Sequence, residues 1–578
     1  GDPGDPGDTT PPVISAVAAG GVTSNRATVT WTTDEPATSQ ARYGPTASYG
    51  STTTLDTSLA ANHSQTLTGL TASTTYHYQV VSRDAAGNER VSGDFTFTTQ
   101  APDPTAQEIG AWAPVMNWPL VAVHMALMPS GKILMWDAWE TTGTPSARVW
   151  DPASQSFTNV PHASTELFCA GHAMLADGRL LVIGGHNGAA VGIRDTNIFD
   201  SLTNTWTRVA DMHHPRWYPT AVTLSDGRVL ALGGQSTPGV FVTVPEVYDP
   251  ASNTWALLED ADLDIGEYPF AYAIPDGKVF IVAGPDYQSR TLDVATQTWT
   301  AVDEAPIPTG TAAMYEPGKV IATGGGTLNA DPVISAAAII DMTATTPAWQ
   351  QTAPMANRRF QHNLVVLPDG QVLAIGGATQ YSLVSTNGVL AAEMWDPNSG
   401  TWSTMASMQD RRMYHSTALL LPDGRVLAAG GGRTAPAPDF LTGQIYSPPY
   451  LFNGPRPTIS NAPTATSYGA TMTVQTPDAA GIASVALVRL GSVTHAVDFD
   501  QRRIPLTFST TADGLSIQAP ASPNVAPPGD YMLFLVNSAG VPSIAPIVRI
   551  GGTAPSDTEA PTVTLTAPAD GAIVSGAA

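Results

Sequence analysis

Short stretches of alternating hydrophobic and polar residues fill the first hundred positions of the chain. ATVTWTT, TTYHYQVVSRD and GDFTFTT are separated by turn residues, and such alternation is typical of strands with one buried face. The pattern predicts a small β-sandwich over residues 11–100, with Trp31 as a core aromatic, after a flexible segment at residues 1–10. A proline-rich linker is expected at residues 101–107.

Beyond the linker, one hydrophobic pattern recurs seven times. Each unit has an apolar strand, a turn that ends in glycine and a second apolar strand, as in LADGRLLVIGG and LPDGRVLAAGG. The turn glycines lie 41 to 54 residues apart: Gly131, Gly178, Gly227, Gly277, Gly318, Gly370 and Gly424. Glycine supplies the positive φ of tight hairpins. Seven such units predict a propeller of seven four-stranded blades over residues 108–453.

A second pattern predicts how the propeller closes. Most units continue with an aspartate and an aromatic residue six positions later, as Asp200 and Trp206 illustrate. The seventh unit lacks this aromatic residue, whereas Trp112 precedes the first unit. We therefore expect the first strand after the linker to complete the last blade, which closes the ring.

Strands of the sandwich type return after residue 453. SVALVRLG and GDYMLFLVNSAG predict a second, Ig-like sandwich over residues 454–552. Residues 553–578 read as a linker and the start of a truncated Ig-like module. The predicted fold class is all-β, with a seven-bladed propeller between two sandwiches.

Composition narrows the classes of function. The 25 Lys and Arg residues against 49 Asp and Glu residues give a formal net charge of −24, and the scattered basic residues disfavour a nucleic-acid partner. No apolar run is long enough to predict a membrane span, and GDPGDPGDTT reads as the start of a mature or trimmed chain. The single cysteine, Cys169, excludes an internal disulfide.

Four reactive side chains occupy equivalent positions in three units of the repeat. Cys169, Tyr218 and His415 each lie nine residues before the turn glycine of their unit, and Tyr414 precedes His415. Repeat geometry therefore brings the four together at the entry of the innermost strands. Imidazole and phenolate oxygen suit copper(II), but each residue type alone is more often structural. The spacing leaves a metal site and a structural role both open.

Several long motifs resemble the copper radical oxidases, the family of galactose oxidase and glyoxal oxidase. They are LFCAGHAMLADG, YHSTALLLPDGRVLAAGGG, YSPPYLF, SVTHAVDFDQRRIPLTF and GDYMLFLVNSAGVPS, in the order that the family has them. The resemblance implies a kelch-type propeller followed by a galactose oxidase-like sandwich. LTASTTY, residues 70–76, resembles the corner motif of fibronectin type III domains.

The resemblance also implies one copper ion and a protein-derived cofactor. At the matching motif positions, Cys169 and Tyr218 would be joined by a thioether, Tyr218 and His415 would be equatorial copper ligands, and His495 would supply the last ligand from the carboxy-terminal domain. Tyr414 would be the axial ligand and the general base, while Tyr218 would hold one electron as a radical. The implied reaction oxidises primary alcohols or small aldehydes with O2 to aldehydes or acids plus H2O2.

Departures from the family pattern concern the substrate pocket. Gln235 and Ser236 stand where galactose oxidase has the tryptophan that covers the thioether, so Trp217 and Tyr287 are candidates for shielding the radical. The arginine that holds sugar hydroxyls has no counterpart in EAPIPTGTAAMY, and Gln361 replaces an aromatic residue. We do not expect galactose to be the best substrate. Trp139 is either a pocket residue or, more commonly for such positions, a rim aromatic without substrate contact.

Two other functions compete with the oxidase. One is a catalytically silent carbohydrate-binding propeller with adhesion modules, and the other is a cell-surface protein in which copper only adds stability. The complete set of five residues favours the oxidase. The expected protein is secreted and monomeric, uses a small alcohol, aldehyde or carbohydrate with O2, and has neither a nucleic-acid partner nor a membrane span.

Overall fold

The computed structural model describes residues 8–102, 104–138, 146–162, 164–307, 310–326, 332–381 and 385–551. Within these ranges β-strands dominate, and the α-helix Pro104–Ile109 has six residues. Four 3-10 turns complete the helical elements of this part of the chain: Glu259–Ala261, Ser385–Asn387, Pro449–Phe452 and Ala479–Gly481. The predictions for Trp139 and for residues 1–7 and 553–578 lie outside the described residues.

The amino-terminal strands are organised by one long strand, Arg26–Gly44. Its first part pairs with Ile14–Gly20 and Asp56–Thr68, and its last part pairs with Ser51–Thr52 and Thr75–Arg83. The strands Glu89–Val91 and Phe95–Thr98 add to Thr75–Arg83. Trp31 is buried as predicted, and its indole donates a hydrogen bond of 2.9 Å to Ser82 Oγ.

Seven sheets of at least four antiparallel strands follow in chain order within the described residues. Their four main strands, innermost first, are: sheet I, His124–Leu127, Ile133–Trp136, Arg148–Asp151 and Ser156–Asn159; sheet II, Gly171–Met174, Leu180–Ile183, Thr196–Asp200 and Thr205–Arg208; sheet III, Thr220–Thr223, Val229–Leu232, Glu246–Asp249 and Thr254–Leu257; sheet IV, Ala271–Ala273, Val279–Ile281, Gln288–Asp293 and Thr298–Glu304; sheet V, Thr311–Glu316, Lys319–Thr323, Ala337–Asp341 and Gln350–Thr352; sheet VI, Asn363–Val366, Val372–Ile375, Ala391–Asp396 and Thr401–Ser407; sheet VII, Ser416–Leu420, Val426–Gly430, Thr442–Ser447 and Ala111–Trp112.

These sheets are the units that the repeat predicts, and their number and order are consistent with a seven-bladed propeller. All seven predicted turn glycines lie between the first two strands of a sheet and have positive φ. The inner strands of sheets I and VII contact one another. A two-stranded hairpin, Gln235–Thr237 and Val240–Phe241, extends from sheet III.

The predicted closing strand is confirmed. Trp112 pairs with Tyr446 of sheet VII, and Met116–Asn117 pairs with the same strand. The outer-strand tryptophans also bind the preceding sheets, because Trp112 donates to Ala406 O at 2.8 Å and Trp206 donates to Val160 O at 2.9 Å. The pattern of aspartate and aromatic residues thus joins neighbouring units.

The carboxy-terminal strands form two sheets. The larger sheet has five strands, in the spatial order Ala465–Thr466, Ile547–Ile550, Gly529–Asn537, Ile482–Arg489 and Arg503–Leu506. Thr471–Gln475, Gly514–Gln518 and Phe508–Thr511 form the smaller one. No helix in the described part of the chain is long and apolar enough to cross a membrane.

One hairpin of this region joins sheet I. Its strands are Ser492–Thr494 and Val497–Asp498, and the first pairs with the innermost strand of sheet I. His495 lies at the turn of this hairpin. The following segment bonds to several sheets, since Asp500 accepts from Met174 N at 2.7 Å and Arg502 donates to Ala273 O at 3.0 Å. These contacts fix the hairpin relative to the inner strands.

Candidate metal centre

The residue nine positions before the turn glycine has an unusual backbone conformation in five sheets. The φ angles are positive: 64° at Cys169, 62° at Tyr218, 41° at Tyr268, 53° at Gln361 and 64° at His415. Residues with a Cβ avoid this region, and such strain persists where the surrounding structure holds it. Here the main chain of neighbouring sheets is bonded directly, because Tyr218 N donates to Cys169 O at 3.1 Å and Tyr268 N donates to Tyr218 O at 2.8 Å.

Three of the predicted site residues meet through these positions. The hydroxyl groups of Tyr218 and Tyr414 are hydrogen-bonded to each other. Cys169 is 1% exposed and belongs to the same buried cluster as Tyr218, and its thiol interacts with the Tyr218 side chain. A thiol beside a phenol that contacts a second phenol is the arrangement that the spacing predicted.

The two predicted histidines complete the cluster. The ring of His415 stacks on Tyr414 with a centroid separation of 3.8 Å and lies 4.5 Å from the ring of His495. The ring of His495 lies 4.7 Å from that of Tyr218 and 5.4 Å from that of Tyr414. All five residues that the sequence singles out are therefore neighbours, although His495 comes from the carboxy-terminal hairpin.

Hydrogen bonds fix which nitrogen of each histidine is free to bind a ligand. His415 Nδ1 donates to Gly432 O at 2.6 Å. Thr494 Oγ1 donates to Val123 O at 2.9 Å, so it accepts from His495 Nδ1 at 2.5 Å. The lone pair of each ring is then on Nε2. Both Nε2 atoms are buried and have no hydrogen-bond partner among the residues that the structure describes.

These donors fit copper. Two buried, unpartnered imidazole nitrogens are costly unless a ligand satisfies them, and they lie beside two phenol oxygens. Nitrogen and oxygen donors of this kind suit copper(II). The residues that would hold the ion are Tyr218, Tyr414, His415 and His495, with Cys169 beside Tyr218 but outside this donor set.

Burial sets the protonation of the cluster. It raises the pKa values of Tyr218 and Tyr414 and that of the Cys169 thiol, and it lowers the pKa of His415 to about 4. The imidazoles are thus neutral and ready to bind a cation. A phenol in this environment ionises only when a nearby positive charge compensates the lost proton.

Aromatic rings cover both faces of Tyr218. Trp217 stacks on it with a centroid separation of 3.6 Å and an interplanar angle of 8°, and Tyr268 stacks at 4.5 Å and 23°. Of the two shielding candidates, Trp217 has the required contact. Tyr287 is 36% exposed and makes no ring contact with Tyr218. Tyr268 was not predicted, although it shares the nine-residue offset from its turn glycine, Gly277.

A buried pair of histidines beside the cluster was also not predicted. His124 Nδ1 and His172 Nε2 are 3.2 Å apart, and the ring of His124 stacks on Trp136 at 4.6 Å. The ring of His124 lies 5.8 Å from that of His495. Both histidines lie on innermost strands, in VHMALMP and CAGHAML. That position in the repeat was the signal in the sequence that could have placed them near the cluster.

Comparisons with known proteins agree with this geometry. Residues 141–315 and 318–441 match the glyoxal oxidase N-terminus, and residues 456–550 match the galactose oxidase-like early set domain. A galactose oxidase of Gibberella zeae is 32% identical over 489 residues, which cover 76% of this chain and 71% of that protein. The chain belongs to the galactose oxidase family. Its residues 12–99 match the N-terminal domain of purple acid phosphatases.

Two further proteins extend the comparison. "Aldehyde oxidase GLOX" of Vitis pseudoreticulata is 30% identical over 338 residues, which cover 51% of this chain and 64% of that protein. A solved structure of a fungal alcohol oxidase in complex with copper superimposes with a TM-score of 0.67 at 29% identity. That similarity covers 77% of this chain and all of the fungal chain.

Proposed function

We propose that this protein is a copper radical oxidase that converts primary alcohols or small aldehydes with O2 into aldehydes or acids plus H2O2. The observation that carries the proposal is the pair of buried, unpartnered Nε2 atoms of His415 and His495 beside the hydrogen-bonded phenols of Tyr218 and Tyr414. The named relatives, a galactose oxidase, an aldehyde oxidase and a copper-containing alcohol oxidase, support the same chemistry.

Oxidation of an alcohol removes two electrons and two protons, and the residues divide this task. Copper, when bound, supplies one of the two oxidising equivalents and acidifies a bound hydroxyl group. Tyr218, joined to Cys169 by a thioether, would hold the second equivalent as a radical and take a hydrogen atom from the substrate carbon. Tyr414 would accept the hydroxyl proton as general base. O2 then receives both electrons and both protons and leaves as H2O2.

The surroundings of Tyr218 support a long-lived radical. Trp217 and Tyr268 cover both faces of its ring, and the hydroxyl bonds to Tyr414. Gln235, which stands with Ser236 where the family has its tryptophan, exchanges two main-chain hydrogen bonds of 2.8 Å with Trp217. We propose that Trp217 takes over the shielding from this neighbouring position.

We expect substrates other than galactose and a secreted, monomeric enzyme. In the described residues of EAPIPTGTAAMY no arginine is available to hold sugar hydroxyls. Copper is the one external cofactor that we expect the site to need, beside the protein-derived cofactor of Cys169 and Tyr218, and the second substrate is O2. The rival binding function, a silent carbohydrate-binding propeller, predicts sugar binding without turnover.

The test combines copper content with turnover. Purified protein is loaded with copper, freed of excess metal and assayed for H2O2 with butan-1-ol, benzyl alcohol, methylglyoxal and galactose. We expect one copper per chain, turnover of at least one primary alcohol or aldehyde, and less with galactose. His415→Ala and His495→Ala should each lose the copper, whereas His213→Ala, outside the cluster and bonded to Glu246, should retain it. One bound copper with no turnover of any substrate would contradict the proposal.

A further inference from the structure

Five residues with positive φ lie nine positions before their turn glycines, and the residues that directly precede them form a second set at equivalent places in the five sheets. They are Phe168, Trp217, Glu267, Phe360 and Tyr414. Tyr414 belongs to the cluster, and two others contact it directly, because Trp217 stacks on Tyr218 and Phe168 lies 5.3 Å from His415. The repeat therefore puts Glu267 in a wall that is otherwise aromatic.

The carboxylate of Glu267 is held in a defined position. Gln235 Nε2 donates a hydrogen bond to Glu267 Oε1, and Gln235 Oε1 accepts one from Gly239 N at 2.7 Å. The main chain of Gln235 is paired with Trp217. On the other side, Tyr268 follows Glu267 directly and stacks on Tyr218. The sequence neighbour Tyr268 therefore touches the site directly, and the hydrogen-bond partner Gln235 is joined to it through Trp217.

One oxygen of this carboxylate is left unused. Glu267 is half-buried, and its Oε2 has no hydrogen-bond partner among the described residues. After burial, the negative charge of Glu267 is among the causes that raise the pKa values of Cys169 and Tyr414. No lysine or arginine is among the groups that shift the pKa values of Cys169, Tyr218 or Tyr414 most strongly. The wall thus presents a fixed acceptor and a negative potential to a bound molecule.

We propose that Glu267 is a specificity-determining residue that accepts, through Oε2, a hydrogen bond from a second donor group of the substrate. The preferred substrates are then small alcohols that carry a further hydroxyl or an ammonium group, and anionic compounds are the poorest substrates. This inference rests on the proposed oxidase function. It explains how a pocket without the family arginine still orients a polar substrate. The arginine would donate hydrogen bonds to the substrate, whereas the Glu267 carboxylate accepts one from it.

The aromatic members of the wall favour a different class of substrate. Phe168, Trp217 and Phe360 alone would select apolar or aryl alcohols by burial of their surface. A charge-assisted hydrogen bond to a half-buried carboxylate outweighs the loss of one methylene contact. Benzyl alcohol therefore serves as the rival probe, and its preference over a diol would contradict the proposal.

The test compares matched three-carbon alcohols with the copper-loaded enzyme. The probes are propane-1,3-diol, 3-aminopropan-1-ol, propan-1-ol and 3-hydroxypropanoate. For the wild type we expect kcat/KM to be about tenfold higher with the diol and the amino alcohol than with propan-1-ol, and lowest with the anion. Glu267→Gln keeps the bond to Gln235 but removes the charge, so the advantage of the amino alcohol should fall about tenfold and the anion should gain.

Two controls separate this inference from the oxidase proposal. Asp262→Asn removes an exposed carboxylate from the same segment and should leave all ratios unchanged. An NMR titration measures the weak binding of 3-aminopropan-1-ol to the metal-free protein. The dissociation constant should be several-fold lower for the wild type than for Glu267→Gln. Equal ratios and equal binding in both proteins would overturn the role of Glu267 while leaving the oxidase intact. Should Glu267→Gln fail to fold, Glu267→Ala, which removes both the charge and the acceptor, should lose the advantage of the diol and of the amino alcohol.

Discussion

Single residues at this site adopt a backbone conformation that side chains with a Cβ avoid. Cys169, Tyr218 and His415 all have φ near +63°, within the range of 62° to 64°. Each such residue costs on the order of 1 kcal/mol. A direct main-chain hydrogen bond between two sheets, from Tyr218 N to Cys169 O, holds two of them in place. Strain of this kind is concentrated where the reactive side chains meet, which is typical of functional sites.

The stack of Trp217 on Tyr218 leads to the first prediction at this scale. Trp217→Leu removes a stacked pair that contributes about 1 kcal/mol, so the radical form should decay about fivefold faster and turnover should fall. The half-life of the radical absorption after chemical oxidation measures this effect. Trp402→Phe, on the outer strand of sheet VI, is the matched control. An unchanged half-life in Trp217→Leu would exclude a shielding role.

The buried His172 leads to a prediction on pH. Burial lowers its pKa to about 3, whereas the unfolded chain titrates near 6.5. The unfolded state therefore binds more protons between these values, and the wild type loses stability as the pH falls from 6.5 towards 3. Relative to His172→Gln, the loss should approach about 1.4 kcal/mol per pH unit.

Urea unfolding of the metal-free proteins at several pH values measures this difference. The comparison with the variant cancels the buried Asp369 and Asp498, whose pKa values burial raises to about 6 and whose effect has the opposite sign. A stability difference that does not change with pH would show that His172 has the same pKa in the folded and unfolded states.

At the scale of elements, the seven-unit repeat allowed most of the strands and their hairpins to be predicted from the sequence. Hairpin glycines and the displaced Trp112 are local signals, and both predictions agree with the strand pairing. The addition of the His495 hairpin to sheet I has no local signal, because Thr494 pairs with His124, a residue remote in sequence. Only the family motif indicated that His495 joins the site. Tyr268 and Glu267 were missed because a tyrosine and a glutamate at a strand entry carry no chemical signature by themselves.

The segment after the hairpin leads to a prediction on stability. Arg489 Nε bonds to Asp500 Oδ1 at 3.2 Å, and both side chains are 1% exposed. Asp500→Asn leaves a buried arginine without its counter-charge, so the free energy of unfolding should fall by about 3 kcal/mol, and copper affinity should fall as the hairpin loosens. Asp226→Asn breaks an exposed pair with Arg228 and should cost less than about 1 kcal/mol. Equal losses in chemical denaturation would contradict the bracing role of Asp500.

For the whole molecule, the net charge of −24 affects which substrates approach the site. A strongly negative surface lowers the local concentration of anions, and salt screens this effect over about 10 Å at 0.1 M. The kcat/KM for glyoxylate should therefore rise several-fold between 10 mM and 500 mM added salt, whereas that for propan-1-ol should not. Parallel changes for both substrates would indicate a general salt effect on the enzyme instead.

The central claim is that Cys169 and Tyr218 form a one-electron cofactor beside a copper ion. Peptide mass spectrometry of protein loaded with copper in air tests it most directly. We predict a cross-linked species that joins the Cys169 and Tyr218 peptides with the loss of two hydrogen atoms, absent from Cys169→Ser and from protein kept free of copper. Separate peptides, with Cys169 freely alkylated after full copper loading and unfolding, would contradict the radical mechanism.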